Sequence, residues 1–168
     1  MDHVEIEKST LILHPEEGKF YYKSKPFTGY AVMYYPNGNL KERSGFFEGK
    51  KEGIIQKWYK NKAVSYEANY KSNKLHGKIN TWWSNGNLRS ASNFSEGIAH
   101  GIQKQWYSSG AKFKELHLNF GQEEGLQKAW RENGKLYANY EAKNGRVFGL
   151  KRANLCFELE QEIIQAND

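Results

Sequence analysis

One 24-residue stretch decides the predicted fold: it reads GKINTWWSNGNLRSASNFSEGIAH and runs from Gly77 to His100. Its first glycine recurs every 24 residues without an insertion, and an aromatic residue stands five residues after each of the first five glycines. A fixed period of this length is typical of repeat proteins. The glycines are Gly29, Gly53, Gly77, Gly101, Gly125 and Gly149, and the rings are Tyr34, Trp58, Trp82, Trp106 and Trp130.

Two turn signals divide each repeat. Asn-Gly, the pair preferred in tight hairpins because both residues tolerate positive φ, marks the first turn. It stands at residues 37–38, 85–86 and 133–134, with Ser109-Gly110 and Asn61-Lys62 at the equivalent positions. The second turn follows at Gly49, Asn73, Gly97, Gly121 and Gly145. The strands left between the turns are about five to eight residues long, so each repeat predicts one β-hairpin.

Neither face of such a meander is uniformly apolar, whereas a sandwich or a helix-covered sheet requires an apolar face. The 25 aromatic residues supply apolar area that pairs of neighbouring strands can share. We therefore predict an all-β protein, a single-layer twisted antiparallel β-meander of 24-residue hairpin repeats with a short C-terminal helix as a cap.

Three segments follow from this prediction. Residues 1–17 form an N-terminal extension or cap, residues 18–152 the hairpin array, and residues 153–168 a C-terminal tail. A single-layer sheet has an unpaired edge at each end, and such edges need covers. Residues 157–166 read as a short amphipathic helix that covers one of them.

Composition excludes several classes of protein. Cys156 is the only cysteine, which excludes an internal disulfide framework and a zinc site built on cysteines. Aspartate occurs only at Asp2 and Asp168, so catalytic sites and calcium loops based on aspartate are not expected. The first residues lack the basic start and apolar stretch of a signal peptide. Taken literally, they predict a cytoplasmic protein; a trimmed N-terminus would leave an exported or lipid-anchored protein as the alternative.

Three hairpins share a motif that reads YYPNGNL over residues 34–40, WWSNGNL over 82–88 and RENGKL over 131–136. This motif resembles the bacterial variant of the MORN repeat, and the resemblance covers roughly residues 18–152. The array is similar to the YwqK family, whose members are often labelled antitoxins, and MORN arrays elsewhere are scaffolds or membrane-associated modules. The resemblance implies a non-catalytic protein-interaction module, with a toxin as the partner that the family label suggests. One departure is Lys62, which stands where the turn glycine belongs.

One face of the predicted sheet combines rings with positive charge, and it is the candidate binding face. The chain has 25 Lys and Arg against 19 Asp and Glu, a formal charge of +6. Basic charge beside accessible rings suits an acidic protein; the alternative is an anionic surface, either lipid headgroups or nucleic acid. The candidate residues are Trp58, Trp82, Trp106, Trp130, Lys104, Lys128 and Arg152.

The sequence predicts no enzyme, no cofactor and no metal. His76 and His100 are equivalent in successive repeats, but their side chains start about 10 Å apart, two strands away from each other. Both would have to come within about 2.1 Å of one zinc ion. Cys156 and His117 could act as a nucleophile and its base. The favoured interpretation of Cys156 is a small buried thiol without a catalytic role. The oligomeric state is not predicted.

Overall fold

The computed structural model describes residues 4–151. Within that range it contains seventeen β-strands and one 3-10 helix. In chain order they are β1 (Glu5–Glu7), the 3-10 helix (Lys8–Thr10), β2 (Ile12–His14), β3 (Lys19–Tyr22), β4 (Lys25–Pro26), β5 (Gly29–Tyr34), β6 (Leu40–Phe47), β7 (Lys50–Trp58), β8 (Val64–Lys71), β9 (Lys74–Trp82), β10 (Leu88–Ser95), β11 (Ile98–Ala99), β12 (Gly101–Trp106), β13 (Lys112–Asn119), β14 (Gln122–Glu123), β15 (Gly125–Trp130), β16 (Leu136–Lys143) and β17 (Arg146–Leu150).

The strands form one long sheet and one small sheet. From β5 to β17 the long sheet follows the order of the chain, and all its pairs there are antiparallel. The short strands β11 and β14 extend the hairpins that begin with β10 and β13. The predicted meander of antiparallel hairpins in a single twisted sheet is thereby confirmed. The predicted C-terminal helix and Cys156 lie outside the described residues.

One row of side chains runs across the sheet and is almost fully buried. Cross-strand pairing joins Ala31 to Ser44, Ser44 to Ile55, Ile55 to Ala68, and Ala68 to Ile79. None of the five is more than 6% exposed. We call the side of the sheet that carries this row the small-residue face and the opposite side the tryptophan face.

The N-terminal residues cover the first edge of the long sheet. Strand β1 pairs in parallel with β5, and the small sheet of β2, β3 and β4 lies beside it. Phe20 of the small sheet and Phe27 pack on Phe46 of β6, with ring centroids 5.2 and 5.8 Å from that of Phe46. The segment boundaries at residues 17 and 152 stay a prediction.

A buried carboxylate ties this N-terminal part to the array. Glu42 of β6 is 8% exposed and accepts hydrogen bonds from Lys8 Nζ and Ser44 Oγ. Burial acts to raise the pKa of Glu42, but these two hydrogen bonds and the charges of Lys8 and Lys57 outweigh it, and the pKa is lowered. The ionised form is therefore the one that the fold stabilises.

Glu42→Gln is expected to lower the free energy of unfolding by about 2 kcal/mol at pH 7, because it removes a charge-assisted hydrogen bond. A carboxylate with a lowered pKa stabilises the fold above its ordinary value of 4.5, and this contribution disappears as the pH falls through the lowered pKa. Urea titrations from neutral pH to about pH 3 test this. The gap between the variant and the wild type should close below that ordinary value; a constant gap would contradict it.

The first turns differ from the sequence prediction in their backbone. Only the glycine of each Asn-Gly pair has positive φ, 82° at Gly38, and Asn37 does not. Gly38 N donates to Tyr35 O at 2.9 Å, which makes Asn37 the third residue of a four-residue turn. Asn37 Oδ1 accepts a hydrogen bond from Asn39 N at 3.2 Å. Asparagine is therefore present for its side-chain acceptor rather than for a left-handed backbone.

The second turns have the conformation that was expected of the first. Both central residues have positive φ, for example 48° at Glu48 and 81° at Gly49. Such a mirror-image turn matches the twist of the two strands that it joins. Its first position is held by Glu48, Ser72, Glu96, Phe120 and Asn144, and of these only the asparagine adopts this backbone readily.

Lys62 is held in the left-handed region, with φ 69°, at the position that is glycine in the other first turns. A side chain in this conformation costs about 1–2 kcal/mol. Glycine removes that cost, but it also increases the entropy of the unfolded chain, so the net gain in stability is smaller. Lys62→Gly is expected to raise the free energy of unfolding by about 0.5–1 kcal/mol. Urea denaturation measures it, with Lys60→Gly as the control that should not stabilise. Equal effects of the two changes would refute the prediction.

A buried glutamine side chain supplies backbone hydrogen bonds where strand β13 has no neighbouring strand. Strand β13 pairs with β15 up to Glu115–Lys128 and then with β14 from Leu118 onward. Between these pairs the Gln127 side chain takes the place of a strand. Its Nε2 donates to His117 O at 2.8 Å, and its Oε1 accepts from His117 N at 2.9 Å. Gln103 is the equivalent residue of the preceding repeat, and its Nε2 donates to Asn93 O at 3.1 Å.

Candidate binding rim

The tryptophans of the predicted binding face are half-buried or buried. Trp58, Trp82 and Trp106 are half-buried, and Trp130 is only 8% exposed. Register places these tryptophans at strand ends on the tryptophan face, as expected from alternation. They act at least in part as packing residues.

Lys104 and Lys128 lie in one row of the tryptophan face, with a carboxylate between them. Glu115 pairs across the strands with Lys104 on one side and with Lys128 on the other. Lys104 Nζ is 3.4 Å from Glu115 Oε2. The predicted ladder of positive charge is therefore interrupted by a negative one. Arg152, the third basic residue of the prediction, lies outside the described residues.

Positive charge is instead concentrated on the side of the sheet that carries all the first turns. In an antiparallel meander successive turns alternate between the two long sides of the sheet, so all first turns lie on one side. We call this side the first-turn rim; it comprises residues 34–41, 58–65, 82–89, 106–113 and 130–137. It carries seven basic residues, with Glu132 as its single acidic residue. The basic residues are Lys41, Lys60, Lys62, Arg89, Lys112, Arg131 and Lys135.

The opposite side is balanced. The second-turn rim comprises residues 45–53, 69–77, 93–101, 117–125 and 141–149. It carries six basic and six acidic residues. The excess of positive charge is thus specific to one rim and is not a general property of the turns.

Aromatic rings accompany the basic residues of the first-turn rim. Eleven of the 25 rings of the chain belong to its residue ranges. Arg89 lies over the Trp83 ring at 4.7 Å, and Lys112 over the Trp130 ring at 5.7 Å. Similar contacts join Lys41 to Tyr35 and Arg131 to Tyr137. Rings with a negative face hold the cations at the surface and orient them.

A second row of rings links successive repeats. Tyr35 donates its hydroxyl hydrogen to Trp58 O at 2.8 Å, and Tyr59 to Trp82 O at 2.7 Å. The next two repeats make the same contact. Trp83 Nε1 donates to Trp106 O, and Tyr107 OH donates to Trp130 O. Burial, reinforced by charges from neighbouring residues, raises the pKa of Tyr107, which keeps this hydroxyl a neutral donor. These rings occupy the position directly after the recurring aromatic residue of each repeat, a regularity that the sequence shows but whose role it does not reveal.

Two clefts open between neighbouring repeats of this rim. One has a volume of about 430 Å³ and is lined by Trp83, Arg89, Trp106 and Phe113, among others. The next has a volume of about 400 Å³ and is lined by Lys112, Glu115, Lys128, Trp130 and Gly134. Each offers apolar area beside a cation, which suits an acidic or aromatic side chain of a partner.

The two equivalent histidines each lie beside a residue of the following repeat. His100 Nδ1 accepts a hydrogen bond from Phe120 N at 3.3 Å, and His76 Nδ1 lies 3.9 Å from Glu96 Oε1. In residues 4–151 one group brings ligand-type atoms within 4.8 Å of one another, namely His14, Glu16 and Glu17. Tyr21 OH already donates to Glu17 Oε2 at 2.8 Å, and the group is exposed except for His14.

Comparison with known proteins agrees with the repeat architecture. No helix of residues 4–151 has the length and apolar character needed to cross a membrane. No curated protein matches the chain. Residues 27–47, which comprise β5, its first turn and β6, match the family model of the MORN repeat variant. That match, together with the hairpin meander, supports a MORN-repeat protein.

Proposed function

We propose that the protein is a non-catalytic binding module that holds an acidic protein partner along its first-turn rim. The observation that carries this proposal is the contrast between the rims, seven basic residues to one acidic on the first and six to six on the second. MORN repeats suggest a repeat protein for binding and are generally non-enzymatic. A concentrated positive potential attracts an acidic partner and accelerates its association.

Three features favour a protein over nucleic acid or lipid. The inter-repeat hydrogen bonds of Tyr35, Tyr59 and Tyr107 hold these rings against the sheet, so that they are not free to stack on bases. Glu132 interrupts the positive charge of the rim, which a phosphate backbone or a headgroup layer would disfavour. A twisted sheet also presents its rim as a curve, and a planar membrane touches only part of such a curve.

The resemblance to the YwqK family refines the proposal to a toxin as the partner. Covering the partner's active surface would neutralise it without any chemistry by this chain. Basic residues at equivalent positions of successive repeats lie about 10 Å apart, so the rim can engage several acidic side chains at once. The affinity is expected to fall as salt is added, because exposed charges are screened within about 10 Å at 0.1 M salt.

Affinity purification from the native cells tests the proposal. The tagged full chain should retain one protein at a constant ratio, and that protein should be acidic and should dissociate as the salt concentration rises. The same chain is assayed against phosphatidylglycerol vesicles and a single-stranded oligonucleotide. Binding to either that is tighter than binding to any recovered protein would favour the anionic-surface alternative. The absence of a protein at constant ratio would overturn the proposal.

A further inference from the structure

The second-turn rim is balanced in total charge but not along its length. Its first two segments, residues 45–53 and 69–77, carry four basic and two acidic residues, a net charge of +2. The next two, residues 93–101 and 117–125, carry three acidic residues and neither lysine nor arginine, a net charge of −3. The fifth segment, residues 141–149, lies beyond them and has two basic residues and one acidic residue. We call the first pair of segments the positive half of the rim and the second pair the negative half.

The small sheet of the N-terminal part adds to the positive half. Asn73 Nδ2 donates to Gly18 O at 2.7 Å, which places the turn between β2 and β3 beside this half. Residues 12–26 carry three lysines and two glutamates. The net charge of the small sheet is therefore +1, and it reinforces the difference between the two halves.

The negative half exposes a phenylalanine in its last turn. Phe120 is 61% exposed, and its φ of 44° lies in the left-handed region, which a bulky side chain seldom adopts. Its ring packs on that of His100, with centroids 4.5 Å apart. Ile98, which lies beside Gly121 of the same turn, is also exposed. A strained backbone that holds an aromatic ring in solvent lowers stability twice over, and strain of this kind is typical of binding sites.

The positive half has an apolar groove at the strand ends beside its first turn. The groove has a volume of about 430 Å³, and Val4, Phe47 and Ile54 line it. Each of these three side chains is more than half exposed. Gly45 also lines the groove, and a Cβ there would lie 2.4 Å from Glu52 O, so this position has no side chain to fill the space. Since a cavity of about 150 Å³ already holds benzene, the groove can receive a phenyl ring.

One two-fold rotation brings both features of two copies together. Equivalent turns of successive repeats lie about 10 Å apart, so Phe120 lies about 30 Å along the rim from the groove beside Glu48. When the second-turn rims of two copies face each other in antiparallel orientation, Phe120 of each copy meets the groove of the other. The axis then passes between the turns at residues 72–73 and 96–97, and the positive half of each copy faces the negative half of the other.

The charges next to this axis match as well. Lys71 and Lys74 of one copy come opposite Glu96 of the other, where the twist of the sheets separates the two rims least. Within one chain Lys74 Nζ lies 3.5 Å from Glu96 Oε2, and both side chains are well exposed. An exposed ion pair of this kind contributes little to the stability of the single chain, so it is readily exchanged for contacts between copies.

We propose that the protein forms a two-fold dimer through its second-turn rims, in which Phe120 of each copy enters the groove of Val4, Phe47 and Ile54 of the other copy. The same surface is used by both copies, so the assembly closes at two chains and does not propagate. Both first-turn rims lie on the outer sides of this dimer. The affinity of one first-turn rim for its acidic partner therefore does not depend on the dimer, and either proposal can fail without the other.

Charge reversal in each half tests the pairing. Lys71→Glu with Lys74→Glu lowers the net charge of the positive half from +2 to −2, and Glu96→Lys with Glu124→Lys raises that of the negative half from −3 to +1. All four side chains are exposed, so the fold should be retained. In sedimentation equilibrium at low salt the wild type should have the mass of two chains. Each double variant alone should have the mass of one, with a dimer dissociation constant raised at least about 100-fold.

Mixing the two double variants separates the loss of pairing from misfolding. In an equimolar mixture opposite charges face each other again on both sides of the axis, so the mass of two chains should return. Lys60→Glu with Lys112→Glu, the matched control on the first-turn rim, should leave the dimer intact. A mixture that stays monomeric, or a control that dissociates as readily as the variants, would contradict the proposed interface.

Phe120→Asn tests the ring itself. Asparagine tolerates the left-handed backbone, so the turn is retained while the buried aromatic contact is lost. The dimer dissociation constant should rise at least about tenfold, whereas Tyr34→Asn, which removes an exposed ring from the first-turn rim, should change it less than about twofold. An unchanged dimer in Phe120→Asn, or assemblies larger than two chains, would overturn the proposal. So would a wild type that is monomeric at low salt, which would leave the groove to a different occupant.

Discussion

Gln127→Leu is expected to lower the free energy of unfolding by about 2–3 kcal/mol, although it replaces an uncharged residue by one of similar size. Gln127 is 0% exposed. Its amide donates to His117 O and to Gly125 O and accepts from His117 N. Leucine makes none of these bonds, so a buried backbone N–H loses its partner at the point where β13 has no neighbouring strand to supply one.

Gln105→Leu is the matched control, since Gln105 is an exposed glutamine on the same face of the sheet. Its effect should stay within about 0.5 kcal/mol. Urea denaturation gives both values, and amide hydrogen exchange locates the effect, because only the variant at Gln127 should lose protection near His117. Similar losses at the two positions would show that the amide bridge contributes nothing beyond the burial of the side chain.

The strand order of the array could be predicted from the sequence because each repeat carries its own turn residues at fixed positions. The glycines at intervals of 24 residues have positive φ, as at Gly53 and Gly77, and they mark the irregular pairing beside each second turn. The 24-residue period and the two turn signals indicated the same strands, and agreement between such signals is what makes a fold predictable.

The conformation of the turns was less predictable, because the same dipeptide serves two geometries. Asn-Gly fits a mirror-image turn, but it also fits a turn in which asparagine is helical and only glycine is left-handed. At Asn37 the second geometry is found, and Pro36 is the residue that favours it, since proline is common at the second position of such turns. Glu48, in contrast, adopts positive φ although nothing in its side chain favours that conformation.

The candidate site was predicted only in its chemistry. Alternation along the first strand of every hairpin predicted Lys104 and Lys128 in register. The returning strand inserts Glu115 between them. Which residues oppose one another depends on the pairing register, and a bulge at each first turn shifts it, as between Gln105 and Trp106. The concentration of charge on one rim becomes apparent only when the turns are grouped by side.

Reversing three charges of the first-turn rim, with Lys60→Glu, Arg89→Glu and Lys112→Glu, is expected to weaken binding of the recovered partner about 100-fold at low salt. Like charges brought together across an interface cost several kcal/mol, and about 3 kcal/mol corresponds to a factor of about 100. All three side chains are exposed, and the rings beneath Arg89 and Lys112 remain in place. The fold should therefore be retained, and most of the loss should appear in the association rate.

The second-turn rim supplies the control that makes this experiment decisive. Lys71→Glu, Lys74→Glu and Arg146→Glu change the net charge by the same amount on exposed residues of the opposite side. If only the total charge of the protein attracted the partner, both triple variants would lose the same affinity. If the first-turn rim is the binding surface, the control should lose less than about threefold, since distant exposed charges are screened. Surface plasmon resonance at two salt concentrations separates these outcomes, and equal losses would remove the rim from the mechanism.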